Sequence, residues 1–405
     1  MNYMELSKIL YKNENEYMTE YKKRFNSPDV VKLNFKINGN QAFFLPDANI
    51  SSIVFQILRS DRNVSKISWQ LPGVAHEQFT KRCLIDEIVL TNKIEGVYST
   101  RREIASILND LEDTVEEKAT RKRFWGLVNQ YNKLGVKEYI SLKTCEDLRA
   151  LYDEIVHAEV IEENPKNAPD GKLFRKDSTS IYTATDKEIH RGTYPEDAII
   201  AELEDALAFL NDDNIELLYR VAVFHYLLGY IHPFYDGNGR LGRFIVSSLL
   251  SQEFSPLLAY RISTTVIENI NLYYNAFKIC NNPRNLGDVT PFLIMMLNMI
   301  NLSTQELEDI LRTRYDQLSL YMKSITKLPN GAKERTGKVY LALIQAGLFS
   351  EFGISTKELI SFVGNTYTTV KKELEMINNH NLIIKTKVGK ENYFMINLDE
   401  LDKTL

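Results

Sequence analysis

Apolar residues return every three or four positions along most of this chain, as they do in helices with one face turned inward. The repeat predicts helices over 75–95, 102–114, 119–135, 145–159, 195–210, 216–231 and 241–250. It continues over 267–280, 291–300, 305–320, 336–345, 356–363 and 366–379. Alternation with a period of two, expected of a half-buried strand, is confined to short runs. One run is 31–37, and the turn Asn38-Gly39-Asn40 carries it into 42–45 as a hairpin. A β-branched, turn-rich stretch, 171–175 through 180–183 and Thr185, fits a second small hairpin. Residues 382–386 and 393–396, joined through Gly389, fit a third. The fold class is therefore mainly α. Pro, Asn and Gly cluster in 325–335, which reads as a linker. The expected division is an N-terminal extension 1–74, a helical core 75–324, that linker, and a C-terminal domain 336–405.

One helix carries an oddity. Leu84, Ile88, Thr91 and Glu95 fall on one stripe of 75–95, with Gly96 placed as a C-cap. A carboxylate on an inward face is costly without a cationic partner, so Glu95 is expected to meet an arginine.

Bulk composition adds limits rather than a function. The 405 residues suggest two or three domains. A net charge of −5 argues against binding of a polyanion by the whole surface. Cys83, Cys145 and Cys280 are widely spaced and odd in number, which fits reduced thiols in a cytoplasmic protein. No stretch nears 18 uninterrupted apolar residues, so no membrane span is expected, and the polar N-terminus is unlike a signal peptide. Gly331 to Lys338 is spaced wrongly for a P-loop, and His76-Glu77 lacks the second histidine of a zinc helix.

The chemistry concentrates in 232–243, HPFYDGNGRLGR, at the turn between two predicted helices. His232 titrates near neutrality and can take a proton from a hydroxyl. Asp236 can hold a divalent cation such as Mg²⁺. Gly237, Asn238 and Gly239 allow backbone N–H groups to approach a phosphate closely. Arg240 and Arg243 share one helical face and offer forked donors for phosphate oxygens. A helix N-terminus beside them favours an anion. Base, metal ligand, anion nest and arginines together describe nucleotide phosphate chemistry.

This stretch resembles the signature of the Fic (filamentation induced by cAMP) domain, matched at every constrained position. The resemblance implies a helical core with a small β-hairpin flap, and transfer of AMP from ATP to a Ser, Thr or Tyr hydroxyl of a target protein. It makes His232 the base and Asp236 the Mg²⁺ ligand. It gives Gly237, Asn238, Gly239, Arg240, Gly242 and Arg243 to the ATP phosphates. Thr91 to Gly96 resembles the family's inhibitory motif, which would pair Glu95 with Arg243 and exclude the γ-phosphate. An ordinary capped helix with an exposed glutamate fits the same letters. Tyr274, in the pair Tyr273-Tyr274, would lie near adenine, or both rings are core aromatics. The hairpin after Gly171 would be the flap that pairs with the target, or a structural hairpin. The C-terminal domain resembles a winged helix-turn-helix, yet 334–405 carry nine basic and nine acidic side chains, without the basic footprint of a DNA reader. Contacts with DNA, with the target or with a second copy in a homodimer all stay open. So do AMP removal, transfer of another phosphate-containing group, and a DNA-binding regulator whose core only senses nucleotide.

Overall fold

The computed structural model describes residues 3–112, 123–136, 138–182 and 188–405. It is 68% helical with few strands, so the mainly α class stands. Among the described residues no helix is long and apolar enough to cross a membrane.

The centre is a pair of helices, Leu217–Ile231 and Asn238–Glu253, joined by the turn at 232–237. The first is apolar on nearly all sides, and most of its residues are buried. Such a helix has to sit inside the core. Gly242 lets the two approach, because a Cβ there would press on the His225 ring at 3.1 Å. Around them pack Trp125–Gly135, Glu196–Leu210, Ile262–Glu268, Ile270–Cys280 and Gly73–Ile94.

The first hairpin forms as its alternation predicts. Val31–Ile37 pairs antiparallel with Asn40–Phe44, and Leu33, Phe35 and Ile37 are buried. Asn38 and Gly39 both take positive φ, 49° and 80°, the backbone a two-residue hairpin turn needs. Residues 3–74 pack into the common core. Phe43 exchanges backbone hydrogen bonds with Gly287 and Val289, and Ala48–Gln70 lies along Thr290–Ser324. Two short helices, Leu6–Lys12 and Glu14–Phe25, precede the hairpin and were not foreseen. Their tie is a buried carboxylate, Asp288, that accepts from the Tyr3 hydroxyl (2.5 Å) and from Arg24 (3.2 Å).

Two expectations need correction. The helices expected over 291–300 and 305–320 are one, Thr290–Ser324. The polar run between them passes through the helix because Ser303 and Thr304 are buried and the Thr304 hydroxyl bonds back to the Ile300 carbonyl at 2.6 Å. The second hairpin lies later than expected, Ser180–Tyr182 against Glu188–Arg191. Residues 171–175 are not a strand, since the N–H groups of Lys172, Leu173 and Phe174 all donate to the Glu196 carboxylate at 2.8–2.9 Å. Thr183 and Thr185 lie outside the described residues.

At the C-terminus, Glu334–Phe349, Thr356–Val363 and Tyr367–Asn378 pack with a three-stranded sheet ordered Ile354–Ser355, Glu391–Ile396, Ile383–Val388. A last helix, Leu398–Thr404, follows.

Candidate active site

The site begins where the Leu217–Ile231 helix stops. His232 is its C-cap, in the left-handed region at φ 52° and ψ 63°, with its N–H still bonded to the Leu228 carbonyl at 2.9 Å. That conformation is costly for a residue with a Cβ and persists only where neighbours impose it. Arg175 imposes it. Its fully buried guanidinium donates to the carbonyls of His232 (2.8 Å), Asp177 (2.6 Å), Thr193 (2.7 Å) and Ile231 (3.3 Å). The loop is pinned again at Phe234, whose ring stacks on Tyr152 with centroids 3.6 Å apart. The Asn238 amide closes it, accepting from the Phe234 N–H (3.1 Å) and donating to the Phe234 carbonyl (2.9 Å). Gly237, at φ 85°, makes the turn into the second helix.

The His232 ring keeps part of its surface open but is largely withdrawn from bulk water. Burial first, then the nearby His190 and Arg175, bring its pKa down to about 4. It is therefore neutral at pH 7 and free to accept a proton.

The two arginines differ in their company. Arg240 is fully buried, and none of its side-chain nitrogens has a hydrogen-bond partner among the described residues. Its neighbour Glu159 stays 4.0 Å away and spends its other oxygen on the Phe124 N–H. Burial lifts the Glu159 carboxyl to about 7 against the pull of Arg240. A buried guanidinium without bonds is expensive unless an anion completes it.

Arg243, by contrast, has a partner at each of its three nitrogens. It meets the Glu95 carboxylate at 2.8 Å, the Thr91 hydroxyl at 2.8 Å and the Thr91 carbonyl at 2.9 Å. Burial pulls its pKa down, but Glu95, with Tyr273 and Tyr131, more than offsets this and the guanidinium stays charged. The arginine expected for Glu95 is thus Arg243. Gly96 follows at φ 75° and ends the helix. The Glu95 carboxylate lies against Gly239, where any Cβ would collide with it.

Other expected residues fall as follows. Asp236 sits in the turn and accepts the Gly237 N–H at 2.5 Å. The Asn238 side chain is spent on the loop, so it can offer a phosphate only its backbone N–H. Gly242 packs closely against His225, where a Cβ would press on the ring. Tyr274 is half exposed and borders Glu95 and Arg243. Its partner Tyr273 is buried, 2.7 Å from His225 Nε2, and is a core aromatic. Arg175, Glu159 and Tyr152 were missed. Their partners lie far along the chain, so no local spacing announces them. The one local sign is a π-turn, Asp153–His157, between Tyr152 and Glu159.

Residues 144–250 match the family model described as Fic/DOC family, so the chain carries a Fic domain there. The chain is similar to "Protein adenylyltransferase fic-1" of Caenorhabditis elegans, 25% identical over 198 residues, 47% of this chain and 36% of that protein. It is similar to "Protein adenylyltransferase Fic" of Drosophila erecta, 34% identical over 89 residues, 21% of this chain and 16% of that protein. The chain thus spans about a third or less of the length of these relatives. Among solved structures, a Fic family protein from Desulfovibrio desulfuricans G20 aligns with TM-score 0.48 and 17% identity, covering 84% of this chain and 96% of that one.

Proposed function

We propose that the Fic domain at 144–250 makes this protein an autoinhibited protein adenylyltransferase, moving AMP from ATP to a hydroxyl of a target protein. The observation that carries this reading is the contrast between the two arginines. Arg240 has no hydrogen-bonded partner and only the distant Glu159 carboxylate beside it, while Arg243, one turn on, is occupied at close range by a carboxylate of the chain itself. A γ-phosphate is what Glu95 would displace.

In the reaction the target oxygen attacks the α-phosphorus, and His232, neutral at pH 7, takes its proton. The bond from the α-phosphorus to the bridging oxygen breaks, and pyrophosphate leaves. The helix leaves the N–H groups of its first turn without intrahelical acceptors, and with Arg240 they would hold the phosphate oxygens. Asp236 would hold Mg²⁺. No cluster of three or more His, Cys, Asp or Glu suited to a metal occurs among the described residues. A single carboxylate suits an ion that takes its other ligands from phosphates and water, and such an ion supplies charge neutralisation. Tyr274 is placed to border the nucleotide. The short Ser180–Tyr182 and Glu188–Arg191 pair would receive the target as an added strand. The C-terminal domain is taken as a winged helix used for protein contacts, given its balanced charge. The three free, buried cysteines fit a cytoplasmic setting.

The test uses ATP labelled at the α-phosphate with wild type, Glu95→Gly and Glu95→Gly/His232→Ala. Labelling is expected to rise on the order of 10–100-fold in Glu95→Gly and to fall by at least about 100-fold when His232 is also removed. An unlabelled Glu95→Gly protein that binds ATP would contradict the reading.

A further inference from the structure

The helix that blocks Arg243 is not held by the catalytic core alone. Its second half is: Glu87 accepts from the Ser263 N–H (2.8 Å) and hydroxyl (2.7 Å), and Thr91 and Glu95 grip Arg243. Its first half is held by the C-terminal domain. Pro72, at the N-cap of Gly73–Ile94, gives no side-chain cap. The cap comes from 270 residues away, where the Ala75 N–H donates to Gln345 Oε1 at 3.0 Å. Gln345 is fully buried and its Nε2 has no hydrogen-bond partner, so the amide serves this one acceptor contact.

Further contacts run down the same side. Phe79 meets Phe349 edge to face at 6.1 Å. Gln78 and Lys81 both reach Glu358, at 3.2 and 3.1 Å. Arg82 donates to the Ser350 carbonyl at 3.3 Å, and Arg82 with Arg101 flanks Glu351 at 3.7 and 3.6 Å. From the following helix, Arg101–Glu112, Asn109 donates to the Tyr393 hydroxyl at 2.6 Å.

One bond to Arg243 comes from the backbone carbonyl of Thr91. Thr91 holds Nε and Nη2, so the nitrogen left for a γ-phosphate is Nη1, the one Glu95 occupies. Glu95 gives it up most readily when the last turn frays or the helix shifts as a body. A helix capped and flanked by a second domain resists both. We infer that the C-terminal domain is the brace of the inhibitory helix, with Gln345 and Glu351 as positioning residues that set how firmly Glu95 occupies the γ-phosphate place. A signal that loosens this docking activates the enzyme at a distance. The inference rests on the proposed autoinhibited transfer, and its test separates the two.

Gln345→Met removes the cap and Glu351→Arg sets like charge against Arg82 and Arg101 at the surface. Amide hydrogen exchange over 73–94 and labelling from α-labelled ATP are measured on the full chain, with a thermal melt to confirm folding. Either substitution is expected to speed exchange in 73–94 and raise basal labelling, each roughly five-fold, the scale of a lost cap. In a Glu95→Gly background neither should raise labelling further. Unchanged exchange in both variants overturns the inference. So does faster exchange with unchanged labelling while Glu95→Gly alone transfers label. If Glu95→Gly is itself silent, the proposed activity fails and the exchange result alone decides the brace.

Discussion

At His232, one neighbour bears on both conformation and charge, although burial is the larger cause of the charge shift. Arg175 holds the residue in the left-handed region through its carbonyl, and the same guanidinium helps keep the ring unprotonated. Because the pKa falls from 6.5 to about 4, the ring remains a proton acceptor as pH drops through 6.5 and loses that role only near 4. Initial labelling rates of Glu95→Gly across pH should therefore stay level from pH 7 to about 5. A fall centred at 6.5 would show a ring in ordinary contact with water. Arg240 makes a separate prediction. Arg240→Met should weaken ATP binding about 10–100-fold, the worth of a charge-assisted hydrogen bond or two, and leave adenosine binding unchanged. Calorimetric titration with each ligand checks this, and equal loss for both would mean a collapsed pocket.

At the scale of elements, the segment 171–177 matters for what it holds. Arg175→Met would strip donors from four backbone carbonyls, three of them part-buried and one buried, at a cost of about 3 kcal/mol in denaturant unfolding. A change under about 0.5 kcal/mol would mean that the loop at 232–237 holds itself. The sequence showed some of these elements well. The Leu84, Ile88, Thr91, Glu95 stripe needed only helical spacing, and the demand for a cation followed from one carboxylate on an inward-facing stripe. The 31–44 hairpin followed from alternation and Asn38-Gly39. The long Thr290–Ser324 helix was hidden because Ser303 and Thr304 look like a break until their burial and back-bonding are known. The strand expected at 171–175 failed because Glu196, over twenty positions away, claims its N–H groups. Arg175 was illegible for a similar reason, since its partners are backbone carbonyls, which carry no sequence identity.

Over the whole molecule, both ends of the chain fold back on the helical centre. The N-terminal hairpin bonds to Gly287 and Val289, and the C-terminal domain caps the Gly73–Ile94 helix through Gln345. The motif at 232–243 revealed the chemistry of the site because twelve contiguous residues build most of it. The fixing of that site by Arg175, Tyr152, Glu159 and Gln345 arises from folding alone. The reaction proposed for this site is transfer of the α-phosphorus with its nucleoside, restrained by Glu95. The most direct measurement gives Glu95→Gly, with Mg²⁺, ATP labelled at the α-phosphate in one reaction and at the γ-phosphate in another, and follows label into protein. The expected result is α-label in protein and γ-label only in released pyrophosphate. Protein carrying γ-label, or neither label while ATP binds, would contradict it.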